Sequence, residues 1–174
     1  GSVNFPSKLM LIAAMNPTPN GNYFDVLNSS QSIHKVQQYL SKLSQPLLDR
    51  IDLQIEVESV SIDKLIDFKK TEEDSKTIAK RVELARKTQY DRQSKTNSEL
   101  NSREIIKYCS LNSETLIFLK NAAKSLNFSA RSFDRVKKIS RTISDLSKSK
   151  NIELEHVAEA IQYRSLERLK QFIN

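Results

Sequence analysis

Apolar positions change their period along this chain, and the changes divide it. Leu9 to Met15 is an unbroken apolar run that stops at Asn16–Pro17. Such a run predicts a strand covered on both faces, with Val3–Met15 as its outer bounds and a break at Phe5–Pro6. Asn16 to Gln31 is rich in Asn, Pro, Gly and Ser and reads as a loop. Ile33, Val36, Leu40 and Leu43 then share one face of a helix over Ile33–Leu43. Ser44–Gln45–Pro46 opens a short helical turn at Leu47–Asp49. Leu53, Ile55 and Val57 alternate with Gln54, Glu56 and Glu58, which is strand period. No further strand is predicted after Val60.

The rest reads as helix. Ile62–Phe68 is a short piece, and Ser75 to about Gln93 is a long polar helix with the character of a connector. Asn101-x-x-Glu104 is a capping box that opens a helix reaching Cys109. Asn112 caps the next helix, which carries Leu116, Leu119, Ala123 and Leu126, and Asn127 follows where a left-handed residue closes a helix. Ser129 caps a helix with Phe133, Val136, Ile139, Ile143 and Leu146 at 3–4 spacing. Ile152 to about Phe172 is the last helix, with Glu153 and Glu155 in its first turn, where the helix dipole favours acids.

Two strands with one helix between them do not make a stable sheet. The first part therefore reads as the end of a larger α/β domain, and the second as a helical bundle. At 174 residues with 28% charged residues the chain has room for one domain or two small ones. No apolar run approaches the roughly 20 residues of a membrane span. No signal peptide is visible either, so no membrane partner and a cytoplasmic location are expected. The single cysteine, Cys109, excludes an internal disulfide. Cys109 reads as a helix-packing residue, His34 and His156 as surface or capping residues, and no metal ligand set is assigned.

The net charge of +7 is concentrated. The window 120–150 holds nine Lys/Arg against Asp134 and Asp145, which accounts for the whole excess. A polyanion partner is one reading and a solvated helix face is the other. The apolar stripe of Ser129–Leu146 leaves Arg131, Arg135, Lys138 and Arg141 off the core in this reading.

Three stretches in order carry a resemblance: AAMNP (Ala13–Pro17), SQPLLDRIDLQIEV (Ser44–Val57), and SARSFDRVKKISRTISDL (Ser129–Leu146) followed by HVAEAIQYRSLER (His156–Arg168). The ordered set resembles the C-terminal half of the magnesium-chelatase-like AAA+ ATPases, and most of all their competence-associated ComM/YifB branch. The implied fold is mixed α/β and mostly α. Residues 1–60 correspond to the truncated end of the nucleotide-binding core, with two strands. Residues 61–100 correspond to a helical linker, and 101–174 to an α-helical lid.

The resemblance also implies roles. Asn16 matches the sensor-1 asparagine, placed beside the γ-phosphate to orient the attacking water; without the other motifs it reads as an ordinary strand-ending Asn in a turn. Arg50, in LLDRID, matches the arginine finger that acts on a neighbouring subunit's ATP. The alternative for Arg50 is an internal ion pair with Asp49 or Asp52. Arg131 matches the sensor-2 arginine, with a solvated basic helix as the alternative. Arg135, Lys137, Lys138 and Arg141 are candidate DNA contacts.

The chain holds no GxxxxGK[ST] and no apolar strand ending in paired acids. A fragment of a longer protein is therefore expected. ATP and Mg²⁺ belong to the full-length protein, with none expected in this piece, which should not hydrolyse ATP. Family members commonly read NPCPCG where this chain has Thr18 and Asn20, with Ser29 and Ser30 downstream, so a thiolate metal site is not expected.

The implied function is an ATP-driven ring, a hexamer by expectation, that remodels DNA in the manner of ComM-like branch migration. A helical partner-binding module and a magnesium-chelatase ATPase subunit are the alternatives.

Overall fold

The structure is a computed structural model and describes residues 3, 9–16, 38, 41–57 and 73–164. The chain divides into two compact units, one up to Leu43 and one from Ser44 onward.

In the first unit, residues 9–16 form no regular element, and Leu9, Met10, Leu11 and Ile12 are all more than 70% exposed. The strand expected over Leu9–Met15 is therefore not formed. An apolar run becomes a strand only when its N–H and C=O groups meet a neighbouring strand, and no ladder exists among the described residues. Gln38 and Ser41 are helical, as expected within Ile33–Leu43; the remainder of that helix up to Leu40 is outside the described residues. So are His34, Thr18, Asn20, Ser29, Ser30 and the piece at Ile62–Phe68.

The second unit is mostly helical. Helix α1 is Gln45–Leu48. The Ser44 carbonyl accepts from the N–H groups of Leu47 (3.0 Å) and Leu48 (3.2 Å). Pro46 lies in that first turn, where a missing N–H is harmless. After the turn at Asp49–Arg50 the chain is extended, but the strand expected at Leu53–Val57 is reduced to one parallel bridge between Gln54 and Arg164. The expected inward face is not formed: Gln54 alone is buried, while Leu53, Ile55, Glu56 and Val57 are exposed. The apolar face has no cover among the described residues.

Helix α2 spans Ser75–Gln93; Asp74 caps it by accepting from the Thr77 N–H (2.9 Å), and it closes on Ser94 in the left-handed conformation, φ 58°. A 3-10 turn at Asn97–Glu99 leads into α3, Ser102–Tyr108, opened by the expected capping box: Asn101 N–H donates to Glu104 (2.9 Å) and Glu104 N–H to Asn101 (3.1 Å). Helix α4 is Ser113–Ser125, capped by Asn112. It ends in a Schellman motif around Asn127 (φ 50°), where the Phe128 N–H donates to the Ala123 carbonyl at 2.9 Å. Helix α5 is Ala130–Leu146, capped by Ser129. Helix α6 is Leu154–Gln162, and residues beyond Arg164 are not described.

The last helix thus starts two residues later than expected. Ile152 enters the core and pairs with Leu111 in a parallel bridge, and Glu153 is the cap residue. His156 is buried and completes that cap. Its Nδ1 accepts from the Glu153 N–H (2.9 Å), and its Nε2 is bonded to Ser147 Oγ (2.9 Å).

The core is built from Leu100, Ile105, Cys109, Leu119, Val136, Ile152, Val157, Ala160 and Ile161. Helix α5 lies at its centre and packs on α2, α3 and α6. Among the described residues no helix is long and apolar enough to cross a membrane.

Candidate functional site

The residues with expected roles fall in different places. Asn16 is exposed and ends the described stretch 9–16 of the first unit. Arg50 is exposed on the turn after α1, and its Nη1 donates back to the Pro46 carbonyl (2.6 Å). Arg131 is exposed on the first turn of α5.

The segment that carries Arg50 is bound to the helix that carries Arg131. Ser132 Oγ donates to Asp49 Oδ1 (3.2 Å), next to Arg50. Arg135, one turn along α5, is ion-paired with Asp52. Asp52 therefore serves α5 and does not hold Arg50, which corrects one of the two pairings expected for it.

Arg164 completes the junction. This arginine is 0% exposed. Its Nη1 donates to the Ile51 carbonyl (2.6 Å) and its Nη2 to Ser132 Oγ (3.1 Å). The Gln54 N–H donates to the Tyr163 carbonyl (2.8 Å), which seats the same segment against the end of α6.

The cations crowd here. Burial pushes the Arg135 guanidinium down from its ordinary value, Arg164 and Arg50 add repulsion, and Asp49 opposes them. Arg135 Nε is buried without a hydrogen-bond partner.

Further along α5 the expected basic face is only partly present. Lys137 and Lys138 are half-buried, and Lys138 Nζ donates to the Ser98 carbonyl (3.1 Å). Burial lowers the Lys138 pKa, and Arg135 lowers it further.

Arg141 is 5% exposed, which overturns its expected position off the core. Its Nε donates to Asp145 (3.2 Å) and its Nη2 to Ser144 Oγ (2.7 Å) and to the Ser149 carbonyl (2.9 Å), while its Nη1 donates to the Lys150 carbonyl (3.0 Å). Besides the apolar stripe, α5 buries a second, polar set: Ser132, Ser140, Arg141, Ser144 and Asp145.

Asp145 is the hub of that polar set. It accepts from Arg92 Nη1 (2.6 Å) and Nη2 (2.9 Å) and from Asn97 Nδ2 (2.9 Å). The bond to Asp145 raises the Arg92 pKa against the opposing effect of burial. Asn97 Oδ1 accepts from Gln93 (2.9 Å), and Gln89 accepts from the Asn97 N–H (2.9 Å). The polar helix α2 is thus docked by charge and amide groups. Sequence reasoning missed this clamp and the Arg164 junction. The available signals were the fourfold spacing of Gln89, Gln93 and Asn97, and the Arg141–Asp145 pair at i,i+4.

Cys109 is fully buried, in keeping with a packing role, and burial pushes its thiol up to about 11. Among the described residues no group of His, Cys, Asp and Glu could hold a metal ion.

Two family models match. "Magnesium chelatase, subunit ChlI" covers residues 1–65, and "Magnesium chelatase, subunit ChlI C-terminal" covers residues 72–164. The chain is 40% identical over 169 residues to the competence protein ComM of Haemophilus influenzae, covering 97% of this chain and 33% of that protein. It is 38% identical over 167 residues to YifB of Salmonella typhimurium, with 96% of this chain and 33% of that protein covered. A Mycobacterium bovis protein, Mb2921c, is 26% identical over 169 residues, covering 94% of this chain and 33% of that protein. The chain therefore spans about a third of the length of the curated relatives it matches. With its helical second unit matched over residues 72–164 and its first 65 residues matched as well, the chain belongs to the magnesium chelatase subunit ChlI family, in the ComM/YifB branch.

Proposed function

We propose that this chain is the C-terminal portion of an ATPase subunit that works in a ring and couples ATP hydrolysis to the remodelling of DNA. The observation that carries the reading is the junction itself. The Arg50 turn and the first turn of α5 are held together through Asp49 and Ser132, and the guanidinia of Arg50 and Arg131 on either side both reach solvent.

Their chemistry suits a phosphoryl group. Arg50 offers a planar fork of donors that matches phosphate oxygens. In phosphoryl transfer such a charge stabilises the transferring group. Arg131 sits where the unpaired N–H groups of α5 and the helix dipole also favour an anion. Asn16 would orient water through a neutral amide. ATP and its Mg²⁺ supply the transferable phosphoryl group and part of the charge neutralisation; the residues named here would hold phosphate.

The surplus charge of the 120–150 window favours a polyanion such as DNA over a protein partner.

The test uses the full-length protein. Arg50→Ala should leave ATP binding nearly intact and reduce hydrolysis by about 10³ or more. Mixing it with subunits mutated in the phosphate loop should restore part of the activity if the finger acts on the neighbour. Folded, assembled mixed rings without rescue would refute that placement.

A further inference from the structure

The least expected group at the junction is Arg164. It is fully buried, it lies 32 residues from Ser132 and 113 from Ile51, and it joins three pieces of chain. One end of its guanidinium holds the Ile51 carbonyl, one residue after Arg50. The other holds the Ser132 hydroxyl, one residue after Arg131. That hydroxyl also donates to Asp49, one residue before Arg50. Ser132 is itself 0% exposed, and its bond from Arg164 is buried away from competing water, while the bonds to Asp49 and Ile51 are partly buried.

The arrangement is stiff for physical reasons. A fully buried arginine with both ends bonded cannot leave its partners without leaving buried donors unpaired. Four bonds therefore close a loop around the turn: Arg164 to Ile51, Arg164 to Ser132, Ser132 to Asp49, and Gln54 to Tyr163. The Arg50 turn cannot shift against the first turn of α5 unless this loop opens.

We propose that Arg164 and Ser132 are positioning residues that make Arg50 and Arg131 move as one body. This rests on the phosphate roles proposed above. A displacement of α5 at one subunit's nucleotide is then passed to the arginine that reaches the next subunit, without a flexible element between them. Neither Arg164 nor Ser132 touches phosphate in this scheme; both act through Arg50.

The experiment is steady-state and single-turnover hydrolysis by the full-length ring, with Ser132→Ala made alone and in the Arg50→Ala background. Ser132→Ala removes one oxygen from a helix position and is the mildest break of the loop. It should lower kcat roughly tenfold, the scale of one lost buried hydrogen bond, and move KM for ATP less than about twofold. In the Arg50→Ala background it should lower the rate no further, because the residue it positions is gone.

Asp49→Asn keeps an acceptor for the Ser132 hydroxyl and should retain more than half the rate, whereas Asp49→Ala should match Ser132→Ala. Arg164→Lys keeps the charge but replaces the two-ended fork by donors at a single point, and should fall between wild type and Ser132→Ala. Full activity of Ser132→Ala overturns the proposal, and so does an equal loss in both backgrounds, since that is what a merely structural residue gives. If Arg50→Ala itself leaves hydrolysis unchanged, the phosphate role of Arg50 is what fails, and the positioning role falls with it.

Discussion

Replacing Asp145 by Ala tests whether α5 is held to α2 by charge. Asp145 is 3% exposed and accepts two bonds from Arg92, one from Asn97 and one from Arg141. Its removal leaves two guanidinia, one mostly buried and one half-buried, with no acid between them. Breaking a buried ion pair from one side destabilises by about 3–5 kcal/mol, because the partner charge is left uncompensated. Against a typical domain stability of about 5–15 kcal/mol this is a large fraction of the whole. With a urea slope of about 1–3 kcal/mol/M, the unfolding midpoint followed by far-ultraviolet circular dichroism should fall by roughly 2 M. Arg92→Met alone should cost less, since Arg141 still faces Asp145. The double variant should fall short of the sum of the two by more than about 1 kcal/mol, because both changes break the same ion pair. A loss under about 1 kcal/mol for Asp145→Ala, or strict additivity with Arg92→Met, would show that α2 is held by something else.

Three further outcomes follow from the same side chains. Burial moves the Cys109 thiol from an ordinary 9.0 to about 11, so at pH 8 the folded chain should react with iodoacetamide at least roughly 100-fold more slowly than the urea-unfolded chain. The Asp74 carboxyl is held below its ordinary 3.8 by the bond from Thr77, and Glu104 below 4.5 by Lys95 and the Asn101 N–H. The stabilisation from both groups is therefore complete above pH 4.5 and is lost as pH falls through the lower folded-state values; amide shifts should show the first turns of α2 and α3 fraying there first. Exchanging Lys137 and Lys138 together for Gln should flatten the log–log salt slope of duplex DNA binding by about 0.9 for each phosphate no longer neutralised. An unchanged slope would leave that part of α5 a solvated face.

The helices were legible because their signals are local. Asn101 with Glu104, Asn112, Asn127 and Ser129 each specify an end within four residues, and the structure places a cap or a left-handed residue at every one. The strands were legible only as pattern. Leu53, Ile55 and Val57 alternate correctly, yet a strand is a relation between two segments, and among the described residues only Gln54 finds a bridge partner, in Arg164. The same limit applies to Leu9–Met15, whose apolar run states that it wants cover without stating by what.

The candidate site divides along the same line. Ser-Ala-Arg and Leu-Leu-Asp-Arg are recognisable as strings, and the structure puts both arginines where solvent reaches them. What the strings do not contain is the pairing between them, because Asp49 and Ser132 are 83 residues apart and Arg164 lies on a third element. Charge counting failed at Arg141 for a related reason. A net of +7 in one window treats all nine cations as equivalent, whereas burial sorts them by whether an acid is near enough to hold them. Arg141 has Asp145 one turn away and goes inward; Arg135 has Asp52 and is half-covered; Arg131 stays exposed. The cation offered to solvent beside the Arg50 turn is therefore the one at the start of α5, where the helix itself attracts an anion.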